Sequence, residues 1–222
     1  MVRGGNIFLI GDVHGKLDAY LSLLAYLGDK PSIQLGDMSF GYDKGWLQLP
    51  KLPLQHRFIP GNHDHPRLCI EHPACLGKFG YLERPRIFFV GGGYSIDRDD
   101  RILGKSWWLE EELNATEANT CYDLYCRTKP AIVISHECPT EVASLMYAKY
   151  GGFDVKGSTG TLLQNMFEER APELWIFGHH HKNWQRQVRN TYFCCLDELR
   201  VAEVRVTGES GNYSPSDVFL HL

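Results

Sequence analysis

Short apolar runs, each cut off by glycine or a polar group, recur along the chain and set its rhythm. Asn6-Ile7-Phe8-Leu9-Ile10 stops at Gly11, Ser32 to Leu35 stops at Gly36, and Arg57 to Ile59 ends in Pro60-Gly61. Arg86 to Val90 closes on Gly91-Gly92-Gly93, Ala131 to Ile134 on Ser135-His136, and Leu174 to Phe177 on Gly178. Continuous apolar runs of this length, bounded by turn residues, predict buried strands. Between them the period changes. Leu17, Tyr20, Leu21, Leu24 and Leu27 fall at helical spacing, and Gly28 is suited to ending a helix over Lys16 to Leu27. Further helices are predicted over Pro66 to Glu71, Thr116 to Arg127, Thr140 to Lys149 and Thr161 to Glu169. Thr191 to Leu196 and Arg200 to Val206 read as two paired strands, and residues 38 to 55 as a long loop over the sheet edge.

Strands alternating with helices predict a single α/β domain over residues 1–222. The first strand–helix–strand unit is expected to be parallel and right-handed. The last strands are expected to add a second sheet or an antiparallel edge.

Composition narrows the class. The chain has 222 residues, 43% hydrophobic and 23% charged, enough for one soluble domain with a sizeable core. A net charge of −4 leaves no basic excess for generic adhesion to nucleic acid or to an anionic membrane, although a small or local nucleic-acid substrate stays compatible. No apolar stretch approaches the roughly 20 residues that span a membrane, and Ile7 to Ile10 is too short for a signal peptide. The seven cysteines, odd in number and without C-x-x-C pairs, read as reduced packing thiols of a cytoplasmic protein.

The chemistry lies at the ends of the strands. Asp12-Val13-His14, Gly36-Asp37, Gly61-Asn62-His63-Asp64, Ser135-His136 and Gly178-His179-His180-His181 each follow an apolar run. Open α/β sheets build their sites at that carboxyl edge. Asp12, His14, Asp37, Asn62, His136, His179 and His181 together offer two carboxylates, one amide oxygen and four imidazoles, a mixed oxygen and nitrogen set. Seven such groups exceed what one metal needs and suit two, provided one carboxylate bridges. On extended backbone an i, i+2 pair points one way, so Asp12/His14 and His179/His181 would each converge while His180 faces elsewhere.

The ordered blocks D-x-H, G-D, G-N-H-D, S-H and G-H-x-H, spread over residues 10 to 181, resemble the calcineurin-like metallophosphoesterases. The resemblance implies an αββα sandwich of two mixed β-sheets flanked by helices. It implies that Asp12, His14 and His181 hold the first metal, Asn62, His136 and His179 the second, and that Asp37 bridges. His63 would lie near the substrate, with Asp64 orienting it. Such a site hydrolyses phosphomonoesters or phosphodiesters by in-line attack of a metal-bridging hydroxide, with protonated His63 assisting the leaving group. Manganese is the first expectation for the metal, with iron, zinc, nickel, cobalt or magnesium as alternatives.

Substrate is less legible. Gly11-Asp12-Val13-His14-Gly15 looks like the opening of protein Ser/Thr phosphatases and diadenosine tetraphosphate hydrolases. Those relatives continue G-D-x-V-D-R-G, whereas Gly36-Asp37-Met38-Ser39-Phe40-Gly41-Tyr42 lacks the arginine, and Asp64 stands where they carry Glu. The middle of the chain is similar instead to small bacterial and phage metallophosphoesterases, through Gly92-Gly93-Tyr94-Ser95-Ile96-Asp97, Arg101 and Ser106-Trp107-Trp108-Leu109-Glu110. Arg98 and Arg101 are candidates for phosphate recognition. The preferred reading, however, pairs Asp97 with Arg101 to brace the loop and packs both tryptophans inside. Lys182, Trp184, Arg186 and Arg189 read first as a solvated face, and second as a rim drawing in a nucleotide or oligonucleotide. Gly157-Ser158-Thr159-Gly160 reads as a turn and N-cap. A nuclease or cyclic-nucleotide phosphodiesterase is the alternative activity. A non-catalytic binding scaffold is disfavoured, because His63 and every expected ligand are present.

Overall fold

The computed structural model describes residues 5–40, 51–151, 157–205 and 218–221. Most of the expected loop over 38 to 55, namely 41–50, lies outside them.

The apolar runs become strands buried on both faces. Asn6–Ile10 (β1), Ser32–Gln34 (β2) and His56–Phe58 (β3) run parallel, with Val201–Arg205 (β10) antiparallel to β1 and Val218–His221 (β11) antiparallel to β10. This gives a first sheet in the order β11-β10-β1-β2-β3. The second sheet has the order β4-β5-β6-β7-β9-β8. Its Ile87–Val90 (β5), Ile132–Ser135 (β6), Leu174–Phe177 (β7) and Thr191–Cys195 (β9) are parallel, while Phe79–Leu82 (β4) and Trp184–Val188 (β8) close the edges antiparallel.

The period-2 alternation sorts each strand between two cores. Ile7, Leu9 and Ile33 from the first sheet meet Ile87, Phe89, Ile132, Ile134, Leu174 and Ile176 from the second, making a sheet-on-sheet core. The intervening Phe8 and Ile10 face outward onto Tyr20, Leu24 and Leu27 of Leu17–Leu27 (α1) and Cys69 of Pro66–Glu71 (α2). On the other side Phe88, Val133, Trp175 and Phe193 pack under Ala115–Thr128 (α3), Thr140–Met146 (α4) and Ser158–Glu169 (α5). The layers are therefore αββα, as expected. Parallel strands covered on both faces need near-continuous apolar sequence, which explains the runs.

Three expectations need correction. The segments 191 to 196 and 200 to 206 do not pair with one another: β9 joins β7 and β8, whereas β10 crosses to the first sheet and pairs with β1 and β11. Both segments are apolar, so hairpin pairing and separation between two sheets look alike locally. β4 was not foreseen, because Phe79-Gly80-Tyr81-Leu82 is half-buried throughout and shows no alternation. Ser158 to Gly160 form the first turn of α5 rather than a cap, and Gly157 at the cap supplies no side chain. Asn114 caps α3. It accepts the N–H groups of Thr116 and Glu117, while Glu117 accepts from the Asn114 N–H, a capping box.

Candidate metal centre

The carboxyl ends of β1, β2, β3, β6 and β7 bring the predicted polar groups to one edge shared by the two sheets. Cross-sheet bonds hold them there. The His179 N–H donates to both Asp12 carboxylate oxygens at 3.1 Å, and His136 Nδ1 donates to the Leu35 carbonyl at 2.8 Å. The two turns that carry Asp12-His14 and Asp37 are tied by the N–H groups of Val13 and His14, which donate to the Asp37 carbonyl.

The backbone at these points is not extended. His14 (φ 44°), Asp37 (φ 57°), His179 (φ 64°) and His181 (φ 47°) all sit in the left-handed region. Convergence therefore comes from tight left-handed turns, not from the strand alternation expected for the i, i+2 pairs. Strain of this kind, of order 1–3 kcal/mol per residue, persists where surrounding structure enforces it and clusters at functional sites. Gly36 (φ 106°) makes room for the convergence: a Cβ there would collide with His136 Nδ1 and the Gly61 backbone.

Three groups of potential ligand atoms result among the described residues: one joins Glu137, His179 and His180, and the other two are built from predicted ligands alone. Those of Asp12, His14, Asp37 and His181 lie within 4.8 Å of one another, and so do those of Asp37, His136 and His179. Asp37 belongs to both. Asn62 joins the second group through its Oδ1, 2.8 Å from His136 Nε2. His136 Nε2 also lies 3.3 Å from Asp37 Oδ1, and His181 Nε2 lies 3.0 Å from Asp12 Oδ2.

The electrostatics fit a cationic occupant. Asp12 and Asp37 are 0% and 1% exposed, and among the described residues their ion-pair partners are imidazoles alone, with no Lys or Arg. Burial opposes ionisation, yet hydrogen bonds from His14 and His181 bring Asp12 down to about 2. Burial likewise opposes ionisation of Asp37, and the charge of His136 drives it well below the ordinary carboxylate range. In return, against the effect of burial, Asp37 lifts His136 to about 10. His14 Nε2 faces His181 Nε2 at 2.8 Å, two nitrogens that a shared cation would satisfy together. Buried carboxylates and converging imidazoles of this kind suit divalent metal ions.

His63 lies beside this set, its ring centroid 5.1 Å from that of His14. Burial lowers its pKa to about 4, with the Arg101 charge acting in the same direction. Its N–H donates to Asp37 Oδ1 at 2.8 Å. Asp64 behaves differently from expectation: its carboxylate accepts three backbone N–H groups, from Gly61 at 2.8 Å, Phe40 at 3.0 Å and Met38 at 3.2 Å. It clamps the turn after β3 onto the turn after β2. Burial, reinforced by the Asp37 charge, raises its pKa to about 6.

Arg101 does two things at once. It forms the predicted brace with Asp97 at 2.6 Å, and its Nη2 reaches His63 Nε2 at 2.7 Å. Arg98 instead lies over the Tyr94 ring, 4.6 Å from its centroid. Trp108 is buried against the His65 ring as the packing reading expected, whereas Trp107 is only half-buried. Arg186 and its neighbours on β8 are exposed, in keeping with a solvated face. His180 turns away from the ligand groups, with Nε2 2.8 Å from Glu137 Oε1, while Glu137 Oε2 lies 3.1 Å from His179 Nε2.

Glu137, Ser95 and Glu111 carry contacts to the site that sequence reasoning did not assign. Glu137 had a visible signal, as an acid directly after a predicted ligand and before Cys138-Pro139. Glu111 ends the stretch that begins Ser106-Trp107-Trp108, but its contact to Ser95, 16 residues earlier, was not legible.

The Metallophos family model, described as calcineurin-like phosphoesterase, matches residues 5–183. Among curated proteins, none matches the sequence. Solved structures resemble it distantly. A candidate 5′-nucleotidase from Staphylococcus aureus is 14% identical, with 96% of this chain and 57% of that one covered and a TM-score of 0.48. Phosphopantetheinyl hydrolase from Mycobacterium tuberculosis is 13% identical over 89% of this chain and 91% of its own, with a TM-score of 0.46. A protein serine/threonine phosphatase from Saccharomyces cerevisiae is 10% identical over 97% and 78%, with a TM-score of 0.45. Likenesses at that level carry no argument about substrate.

Proposed function

The chain belongs to the calcineurin-like phosphoesterase family and is a metal-dependent phosphoester hydrolase, and from that premise we propose a dinuclear centre that cleaves phosphomonoesters or phosphodiesters. One observation carries the dinuclear reading: Asp37 is common to the two groups built from predicted ligands. Asp12, His14 and His181 would hold one cation, Asn62, His136 and His179 the other, and Asp37 both. Manganese is the first candidate. When bound, two such ions acidify a water and neutralise phosphoryl oxygens.

The chain's own residues do the rest. His63 stands at the edge of the ligand set and assists the leaving oxygen. Burial keeps its resting imidazole neutral near pH 7. The negative charge of an incoming phosphoester raises its proton affinity, so the proton arrives with the substrate. Arg101, fixed by Asp97, offers charge-assisted hydrogen bonds to the same phosphoryl group, with Arg98 further out on the rim. Asp64 sets the position of His63 through the backbone it clamps. The buried Leu35 carbonyl fixes the His136 tautomer.

We place this enzyme in the cytoplasm as one domain. All seven cysteines are free thiols, and among the described residues no helix is long and apolar enough to cross a membrane. A panel of aryl phosphates, diaryl phosphates, nucleotides, cyclic nucleotides and short oligonucleotides with added Mn²⁺ tests the activity. Faster turnover of mono- than diesters marks a phosphatase, and the reverse a phosphodiesterase. No cleavage of any member contradicts the proposal.

A further inference from the structure

Behind Asn62 runs a buried chain of hydrogen bonds made by side chains outside the ligand set. Asn62 Nδ2 donates to Ser95 Oγ at 3.0 Å, and Ser95 Oγ donates to Glu111 Oε2 at 2.8 Å. The Ser95 N–H donates to Glu111 Oε1 at 3.1 Å, and Arg101 Nη1 donates to Ser95 Oγ at 3.1 Å. Asn62, Ser95 and Glu111 are 1%, 1% and 5% exposed, so water does not compete for these bonds.

The directions follow from counting donors. A hydroxyl has one proton and two lone pairs, a guanidinium only donates, and a carboxylate only accepts. Glu111 takes the Ser95 N–H with one oxygen and the hydroxyl proton with the other. Arg101 occupies one lone pair of Ser95 Oγ. What remains for Asn62 is the second lone pair, which accepts only an N–H. Asn62 must therefore present its NH₂ to Ser95 and its Oδ1 to the His136 side. An amide turned by half a rotation would aim N–H groups at the cation site and could not ligate.

We propose that Ser95 and Glu111 are positioning residues that decide which end of the Asn62 amide faces the metal centre. They thereby set the affinity of the cation held by Asn62, His136 and His179. The proposal rests on the dinuclear reading above and gives the Gly93-Tyr94-Ser95 and Trp108-Leu109-Glu110-Glu111 segments a purpose beyond packing.

Glu111→Gln tests it. A glutamine keeps the shape but has one accepting atom. With that atom on the Ser95 N–H, its NH₂ meets Ser95 Oγ, and the hydroxyl proton finds an acceptor only if Asn62 flips. Mn²⁺ binding to metal-stripped wild type, Glu111→Gln, Asn62→Ala and the double variant is measured by calorimetry. Wild type is expected to bind two ions. In Glu111→Gln one site weakens by roughly 10–100-fold, the range for outer-shell partners, and the other is unchanged. In the Asn62→Ala background Glu111→Gln costs nothing more. Ser95→Ala, which leaves Asn62 free to turn, shows the same dependence on Asn62 and serves if Glu111→Gln does not fold. Wild-type affinity in these variants, or losses that add in the double variant, would overturn the proposal while leaving the dinuclear reading intact. Fewer than two ions on wild type would overturn both.

Discussion

Arg101 Nη2 lies 2.7 Å from His63 Nε2 while the same guanidinium is anchored to Asp97 at 2.6 Å. Burial is the main cause that takes the His63 pKa from 6.5 down to about 4, and on top of it these two charges act in opposite directions: Arg101 lowers the pKa and Asp97 raises it. Replacing Arg101 by Met should therefore raise the His63 pKa, and Asp97→Asn should lower it. An NMR titration of the His63 ring in the metal-free protein reads both. Shifts of the same sign would show that the geometry, not the charges, controls His63.

His63→Ala removes the group assigned to the leaving oxygen but none assigned to a metal. Turnover should fall by about 10²–10⁴-fold, the usual contribution of general acid–base help, while metal content stays at the wild-type level. Elemental analysis beside the kinetics decides it. Metal lost together with activity would make His63 a ligand.

Glu137 is buried between His179 and His180. Burial opposes its charge, but the two imidazoles hold its carboxyl well below the ordinary range. Its removal leaves His179 and His180 without their buried acceptor, at about 1–3 kcal/mol. Urea denaturation of metal-free Glu137→Ala near neutral pH should show a loss of that order. A loss below about 1 kcal/mol, the level of an exposed pair, would mean the histidines are not held by it.

Protons and cations compete at His136. Burial disfavours its charge, but Asp37 outweighs burial and raises the pKa from 6.5 to about 10 in the metal-free protein. The raised value means that this pair stabilises the metal-free fold fully below pH 6.5 and loses that effect as pH rises through about 10. A cation on Nε2 must displace the same proton, so its binding has the opposite slope. Mn²⁺ affinity should rise about tenfold per pH unit from this proton alone, measured from about pH 6.5 to about pH 8.5. Affinity flat across that window would exclude His136 as a ligand.

The layers and the site edge were legible because both follow from local pattern. Apolar runs such as Leu174 to Phe177 require burial on two faces, and a polar residue directly after each run lands at the carboxyl edge. What escaped depends on distant parts of the chain. β10 carries the same kind of apolar residues as β9 yet pairs with β1, nearly 200 residues away. The i, i+2 spacing placed His179 and His181 at one site but not in one ligand group, because both sit at left-handed φ, which His adopts more often than most residues but which the sequence does not locate. Asp64 shows the same limit. Its neighbour in sequence is His63, but two of its three hydrogen bonds come from backbone 24 and 26 residues earlier.

Metal stoichiometry tied to activity tests the dinuclear centre most directly. Protein stripped with chelator, reloaded with Mn²⁺ and freed of excess should carry two ions per chain. Its hydrolysis of an aryl phosphate should disappear with stripping and return with the second equivalent. Hydrolysis that survives stripping, or full activity with a single ion bound, would contradict the sharing of Asp37 between two cations.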